Sequence, residues 1–173
     1  MRKNTEITTR PWRIGDLETI RAIALQSWRD AYGDFLSAAD IELCHRQHYS
    51  LWQLRERFPR QYGRLGLADE TIVAYALAEI HPDKNHFHVL SLHVLAQYRG
   101  LGLGGRLLEE QAITAGQLGF DRIWLDVMVN NHLAHDWYRR RGFIFTEAGQ
   151  FKFGNSSQDL LVGYKMIDSL QQE

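Results

Sequence analysis

Four glycines fall within six residues, Gly100-Leu101-Gly102-Leu103-Gly104-Gly105, between a stretch that reads as a strand and one that reads as a helix. Without Cβ atoms the backbone there can turn sharply and come close to a ligand. The unpaired N–H groups of the helix start converge on one place, and the helix dipole adds partial positive charge. Such a turn suits a phosphate or pyrophosphate, and Arg99 and Arg106 bring charge near it.

Two common phosphate-binding patterns fit poorly. A P-loop needs Gly-Lys-Ser/Thr at the helix start, whereas Gly104 is followed by Gly105 and Arg106. Gly100, Gly102 and Gly105 match the dinucleotide fingerprint G-x-G-x-x-G, and Asp126 lies 21 residues further on, near the ribose-binding spacing. Yet four residues, 96–99, separate the strand from the first glycine. Only 68 residues follow Gly105, too few for the rest of a doubly wound sheet and a substrate domain.

A chain of 173 residues with 45% hydrophobic and 24% charged residues can fill one core, which excludes a disordered chain. Twenty Lys and Arg against 21 Asp and Glu give a net charge of -1, so there is no bulk attraction to nucleic acid or an anionic membrane. Cys44 is the single cysteine, which excludes an intramolecular disulfide framework and a Cys-based zinc cluster. No apolar segment follows the basic start and no apolar run is long enough to span a bilayer, so a cytoplasmic location is expected.

Hydrophobic spacing predicts a helix at residues 17–32, with Ile20, Ile23, Ala24 and Trp28 on one face behind an Asp16 cap. Further helices are expected from Ser37 and at 50–58. Strand patterns predict a short segment at 6–10, a hairpin of 64–68 and 71–80 around Asp69-Glu70, and a strand at 86–95. Glu79 shares a face with Thr71, Val73, Tyr75 and Leu77. After the glycines, a helix at 104–118 turns Leu107, Leu108, Gln111 and Ala115 inward and ends at Gly119. A strand at 122–129, a helix at 133–141 closed by Gly142, and strands at 143–146 and 160–167 complete the pattern. This points to an α/β or α+β domain with a mixed sheet.

Gln97-Tyr98-Arg99-Gly100-Leu101-Gly102 resembles the Q/R-x-x-G-x-G/A signature of the GNAT acetyltransferase superfamily, preceded by an L-x-V strand end, here Leu92-His93-Val94. The segment from Asn131 through Ala134 and Tyr138 to Gly142-Phe143 resembles the family's N-x-x-A-x-x-x-Y-x-x-x-G-F pattern, about 30 residues further on. The resemblance covers roughly residues 71–166, and the amino-terminal third only in outline.

The resemblance implies one domain over 1–173, with 1–62 as a helical acceptor-side part and 63–173 as the acetyl-CoA-binding part. The implied fold is a mixed, mostly antiparallel sheet of six or seven strands flanked by helices, with a splayed central strand. The implied reaction is acetyl transfer from acetyl-CoA to a primary amine in a ternary complex, without a metal. Cofactor contacts then fall on Leu92, His93, Val94, Gln97, Arg99, Gly100, Leu101, Gly102, Leu103, Gly104 and Gly105, largely through backbone N–H groups. Asn131 matches a contact to the pantetheine arm and also reads as a helix cap. Tyr138 matches the general acid, and a phenol of pKa about 10 suits proton donation to a thiolate. Its structural alternative is an aromatic packed under the last strand. Glu79, His93 and Asp126 stand as candidates for the base. Glu79 also reads as a solvated strand-end carboxylate, and His93 as a core histidine. His86 and His88 share a strand face, but no third metal ligand accompanies them.

In this fold the acceptor lies opposite the cofactor, between the first helices and the late hairpin. Tyr32 and Phe35 beside Asp30 and Asp34, with Trp28 nearby and Asp126 on the next strand, suit a cationic amine. The stretches 28–32 and 151–162 resemble bacterial polyamine acetyltransferases, although Gly154 follows Phe153 directly and Met166 falls late. A small primary amine or polyamine is the expected acceptor, and a protein amino terminus or lysine the alternative. Homodimers are common among such folds. A catalytically silent acyl-CoA-binding domain would keep Gly100, Gly102 and Gly104 but need not keep Tyr138. Cys44 reads as a small apolar filler.

Overall fold

The structure, a computed structural model, describes residues 5–167. The strand-like runs pair into one seven-stranded sheet. Its strands are β1 (Ile7–Pro11), β2 (Gln61–Ala68), β3 (Thr71–His81), β4 (His86–Val94), β5 (Arg122–Met128), β6 (Ile144–Phe153) and β7 (Ser156–Met166). Their spatial order is β1-β2-β3-β4-β5-β7-β6. Every neighbouring pair is antiparallel except β4 with β5. One parallel pair is what a single strand–helix–strand crossover produces, and it excludes a doubly wound dinucleotide fold.

Helices α1 (Leu17–Tyr32), α2 (Ala38–His48) and α3 (Leu51–Arg57) precede β2. α1 packs on β3 and β4, and the residues it buries include Ile20, Ile23, Ala24 and Trp28. Burial of a large side chain such as Ile20 or Ile23 contributes about 1.5–3 kcal/mol. Helix α4 (Leu103–Gln117) crosses β1 to β5, burying Leu103, Leu107, Leu108, Gln111 and Ala115. Beneath it, Gly66 and Ala74 leave room for Leu103 and Leu107. Helix α5 (His132–Arg139) lies beside the start of α4, with Trp137 against Gly104.

Three expectations need correction. The Asp16 side chain does not cap α1. It accepts the Arg13 N–H at 2.7 Å and pairs with the Arg10 guanidinium at 2.8 Å, closing a 3₁₀ turn one step earlier. The hairpin opening this part of the sheet begins at Gln61 rather than 64. The last two strands run far beyond 143–146 and 160–167, forming one long hairpin through 144–153 and 156–166. Residues 146–152 of β6 are exposed apart from the half-buried Gly149, so beyond Phe145 the strand rests on its ladder with β7 rather than on a buried stripe. The hairpin turn is held to the start of α2. The Asp40 carboxylate accepts the Asn155 N–H at 2.7 Å and the hydroxyls of Ser37 at 2.8 Å and Ser156 at 3.2 Å.

Candidate functional site

The parallel pair is short. Phe87, His88 and Val89 of β4 match Ile123, Trp124 and Leu125 of β5, and there the pairing stops. β4 continues to Val94 and β5 to Met128 without pairing with each other. A bulge accompanies the separation. Ala78 opposes Val89 and Leu77 opposes Ser91, which leaves Leu90 unmatched. The extra residue bends β4 away from its neighbour. A cavity of about 830 Å³ occupies the gap.

At one end the cavity meets the glycine loop. Gly100 and Gly102 have φ of 83° and 84°, left-handed values that favour glycine. Gly102 is the N-cap residue of α4 and no side chain caps the helix. The first helical bond of this end runs from the Arg106 N–H to the Gly102 carbonyl at 3.1 Å, so the N–H groups of residues 103–105 precede the intrahelical ladder. Gly102, Leu103, Gly104 and Gly105 all line the cavity. Arg99 lines it too, its Nε donating to the Val94 carbonyl at 3.2 Å. Arg106 turns away and donates to the Ile7 carbonyl at 3.1 Å.

Arg141, which the sequence did not single out, reaches this end. Its guanidinium lies over the Trp137 ring at 3.6 Å, and a Cβ on Gly105 would stand 3.4 Å from its Nη2. The signal available was the run Arg139-Arg140-Arg141 and the four-residue spacing from Trp137, but nothing in the run marks which arginine faces the loop.

Tyr138 lines the cavity too. Its ring meets Trp137 and Phe143 edge to face, at 4.9 and 5.3 Å. Its hydroxyl has no hydrogen-bond partner among the described residues and is not sealed off. Burial raises the phenol's pKa well above its ordinary value, which keeps the proton on oxygen. Asn131 lines the same cavity and its Oδ1 accepts the Ala134 N–H at 3.3 Å, so it also caps α5.

The other end is aromatic and acidic. Trp28, Tyr32 and Phe153 line it, and so do Asp30, Asp34 and Asp126. The Asp126 carboxylate stands 3.3 Å from the buried His88 Nε2 and one residue beyond the last paired residue of β5. From β3, the Tyr75 hydroxyl donates to that of Tyr49 at 3.2 Å, and Tyr49 contacts Ser91 Oγ at 2.6 Å on the cavity wall.

Other residues fall outside the cavity. Glu79 opposes His88, which lines the cavity, but Glu79 itself does not line it. It accepts from Gln61 Nε2 at 3.2 Å and lies 3.1 Å from His81 Nε2. Gln97 and Leu101 are exposed and do not line the cavity. Phe35 packs on Tyr32 at 5.9 Å, behind the wall. Leu92, His93 and Val94 do line it. His86 stacks on Trp124 at 3.8 Å, and His88, which lines the cavity, stacks on His81 at 4.7 Å.

The profile of the acetyltransferase (GNAT) family matches residues 18–143. The chain belongs to this family. Among relatives, an uncharacterized N-acetyltransferase of Mycobacterium tuberculosis is 31% identical over 96 residues, which is 56% of this chain and 61% of that protein. The chain thus spans about three fifths of that mycobacterial relative. A spermidine N(1)-acetyltransferase of Thermoplasma acidophilum is 27% identical over 143 residues, covering 79% of this chain and 88% of the relative. The crystal structure of the PaiA N-acetyltransferase of the same organism, in complex with coenzyme A, superposes with a TM-score of 0.81 at 23% identity, over 93% of this chain and 99% of the other. At that identity the likeness is one of fold.

Proposed function

We propose that this GNAT chain is an acetyl-CoA-dependent N-acetyltransferase whose acceptor is a small cationic amine of the polyamine kind. One observation carries the reading. One cavity is lined both by the unpaired helix start at Gly102 and by a wall of aromatic rings and carboxylates, and the Tyr138 hydroxyl on its lining has no hydrogen-bond partner among the described residues. The residues present fit coenzyme A. The glycine loop and α4 start suit a pyrophosphate, Arg141 adds a cation held by its ring, and the backbone beyond Val89 has no β5 partner. When bound, acetyl-CoA supplies the activated acetyl group.

The chain's own residues do the rest. Tyr32 and Phe153 present π faces, and Asp30 and Asp34 offer charge to an ammonium. Asp126 meets the reacting amine near the strand gap and eases loss of its proton to cavity water. Tyr138 donates its proton to the departing thiolate. Glu79, fixed by Gln61 and His81 outside the gap, takes no direct part. The spermidine acetyltransferase relative supports the polyamine class.

The test is thermal stabilisation by acetyl-CoA but not by NAD, followed by thiol release across polyamines, amino sugars, aryl amines and amino-terminal peptides. No thiol release with any amine of the panel, in a protein that acetyl-CoA stabilises, would leave the silent-binding reading instead, and release confined to the other amines would overturn the polyamine class. The unpartnered Tyr138 hydroxyl in the cavity favours the enzyme.

A further inference from the structure

His93 sits on the central strand and lines the cavity, where a histidine titrating near neutrality would serve as a base. Its surroundings suit the opposite use. The Trp28 indole N–H donates to His93 Nε2 at 3.2 Å. An indole nitrogen can only donate, so Nε2 carries the lone pair and the neutral ring holds its proton on Nδ1. Nδ1 has no hydrogen-bond partner among the described residues, and it is not among the sealed, unpaired atoms. Its N–H therefore opens into the cavity that His93 lines.

The surroundings keep the ring neutral. Trp28 and Tyr32 from α1 stand at 6.4 Å between centroids, and Tyr75 from β3 at 5.6 Å. Burial, with the nearby Arg99 charge second, lowers the imidazole pKa to about 4. The titratable and charged groups facing it are Tyr32, Tyr75 and Arg99, and burial holds both phenols protonated. Protonation of Nε2 would also break the bond to Trp28 and set two N–H groups against each other.

We propose that His93 is a hydrogen-bond donor of fixed tautomer in acetyl transfer, offering its Nδ1–H to the thioester oxygen, with Trp28 as the residue that sets the tautomer. The inference rests on the acetyl-transfer reading above. The amine lone pair forms the new C–N bond and the carbonyl π pair moves to oxygen. His93 donates a hydrogen bond to that oxygen and keeps its proton. When the carbonyl re-forms, the C–S bond breaks and its electron pair goes to sulfur, which takes the Tyr138 proton, while the surplus proton on the acylated nitrogen leaves to solvent and solvent restores the Tyr138 phenol. A neutral imidazole that polarises a carbonyl without titrating is an established device.

Nitrogen-15 histidine NMR of the free protein decides the tautomer. At pH 7, His93 should be neutral and protonated on Nδ1, and Trp28→Phe should weaken that preference. Kinetics decide the role. His93→Leu should lower kcat for thiol release by about 10²–10³-fold, the cost of one lost oxyanion donor. KM for acetyl-CoA and for the amine should stay within about three-fold, since the lost contact strengthens only in the transition state. His93→Asn, which keeps an N–H near Nδ1, should recover at least about tenfold of that loss. An Nε2-protonated or cationic ring at pH 7 overturns the inference alone. So does full kcat in His93→Leu, or a loss confined to the amine KM. If the wild-type protein releases thiol with no amine, the acetyl-transfer reading falls first.

Discussion

The Tyr138 carbonyl accepts the Phe143 N–H at 3.2 Å, and the two rings meet edge to face at 5.3 Å. This is a Schellman closure. The Gly142 N–H bonds the Arg139 carbonyl at 3.0 Å, and Gly142 takes a φ of 87°. The Y-x-x-x-G-F spacing thus has a mechanical meaning. The glycine reverses the chain, the buried phenylalanine locks onto the last turn, and the tyrosine ring is wedged so that its hydroxyl faces the cavity.

Tyr138→Phe keeps the ring contacts and removes only the proton. Thiol release should fall by about 10²-fold or more, with KM for acetyl-CoA nearly unchanged and thermal stability within a degree or two of wild type. Steady-state kinetics beside calorimetry check this. Full turnover with every accepted amine would end the general-acid assignment.

At Gly102 a Cβ would meet nothing within 4 Å, so backbone conformation alone resists a side chain. Gly102→Ala should cost about 1–2 kcal/mol of stability through its left-handed φ. Gly102→Asp should add charge at the anion end and weaken acetyl-CoA binding by at least about tenfold. Titration calorimetry on both variants separates strain from electrostatics. Unchanged acetyl-CoA affinity in Gly102→Asp would refute the phosphate-loop role.

Arg141→Met keeps an unbranched side chain over Trp137 but loses the cation. KM for acetyl-CoA should rise about ten-fold at low salt, and the gap to wild type should narrow as salt is raised. kcat should hold at saturating acetyl-CoA. A salt-independent loss would point to packing on Trp137 instead.

The carboxylates at the acceptor end predict a charge requirement. Asp30→Asn with Asp34→Asn should raise KM for a polyamine more than for a short monoamine of equal basicity, by about five- to twenty-fold. Paired amine titrations test it, and equal effects on both amines would remove the distal-ammonium contact.

Hydrogen bonds from the Asn155 N–H first, then the Ser37 and Ser156 hydroxyls, hold the Asp40 carboxyl below its ordinary range. A lowered folded-state value means stability that is present above the unfolded value near pH 4. It is lost as the pH falls through the folded one. Asp40→Asn should therefore lower Tm at pH 7, and the two proteins should converge at the acid end. Thermal melts from pH 7 to 2.5 follow the convergence.

Much of the fold could be read from residue order. The inward face of α4, Leu107, Leu108, Gln111 and Ala115, is buried as its spacing required, because 3.6-residue periodicity needs only local sequence. Most of β6 leaves no alternation in the sequence, because a strand held by its partner's backbone leaves little trace in side chains. Glu79 was legible as a strand residue. What stood opposite it was not, because register depends on β4 and on the unmatched Leu90. The bond from Trp28 to His93 spans 65 positions, and no local pattern announces it.

The gap between β4 and β5 also bears on motion. A sheet that stops zipping after three residue pairs carries an unfinished ladder at its centre. A guest whose own amides complete that ladder would act as a temporary eighth strand. The free protein should then breathe most at this seam, and slowed amide exchange along the far ends of β4 and β5 would record the guest's arrival.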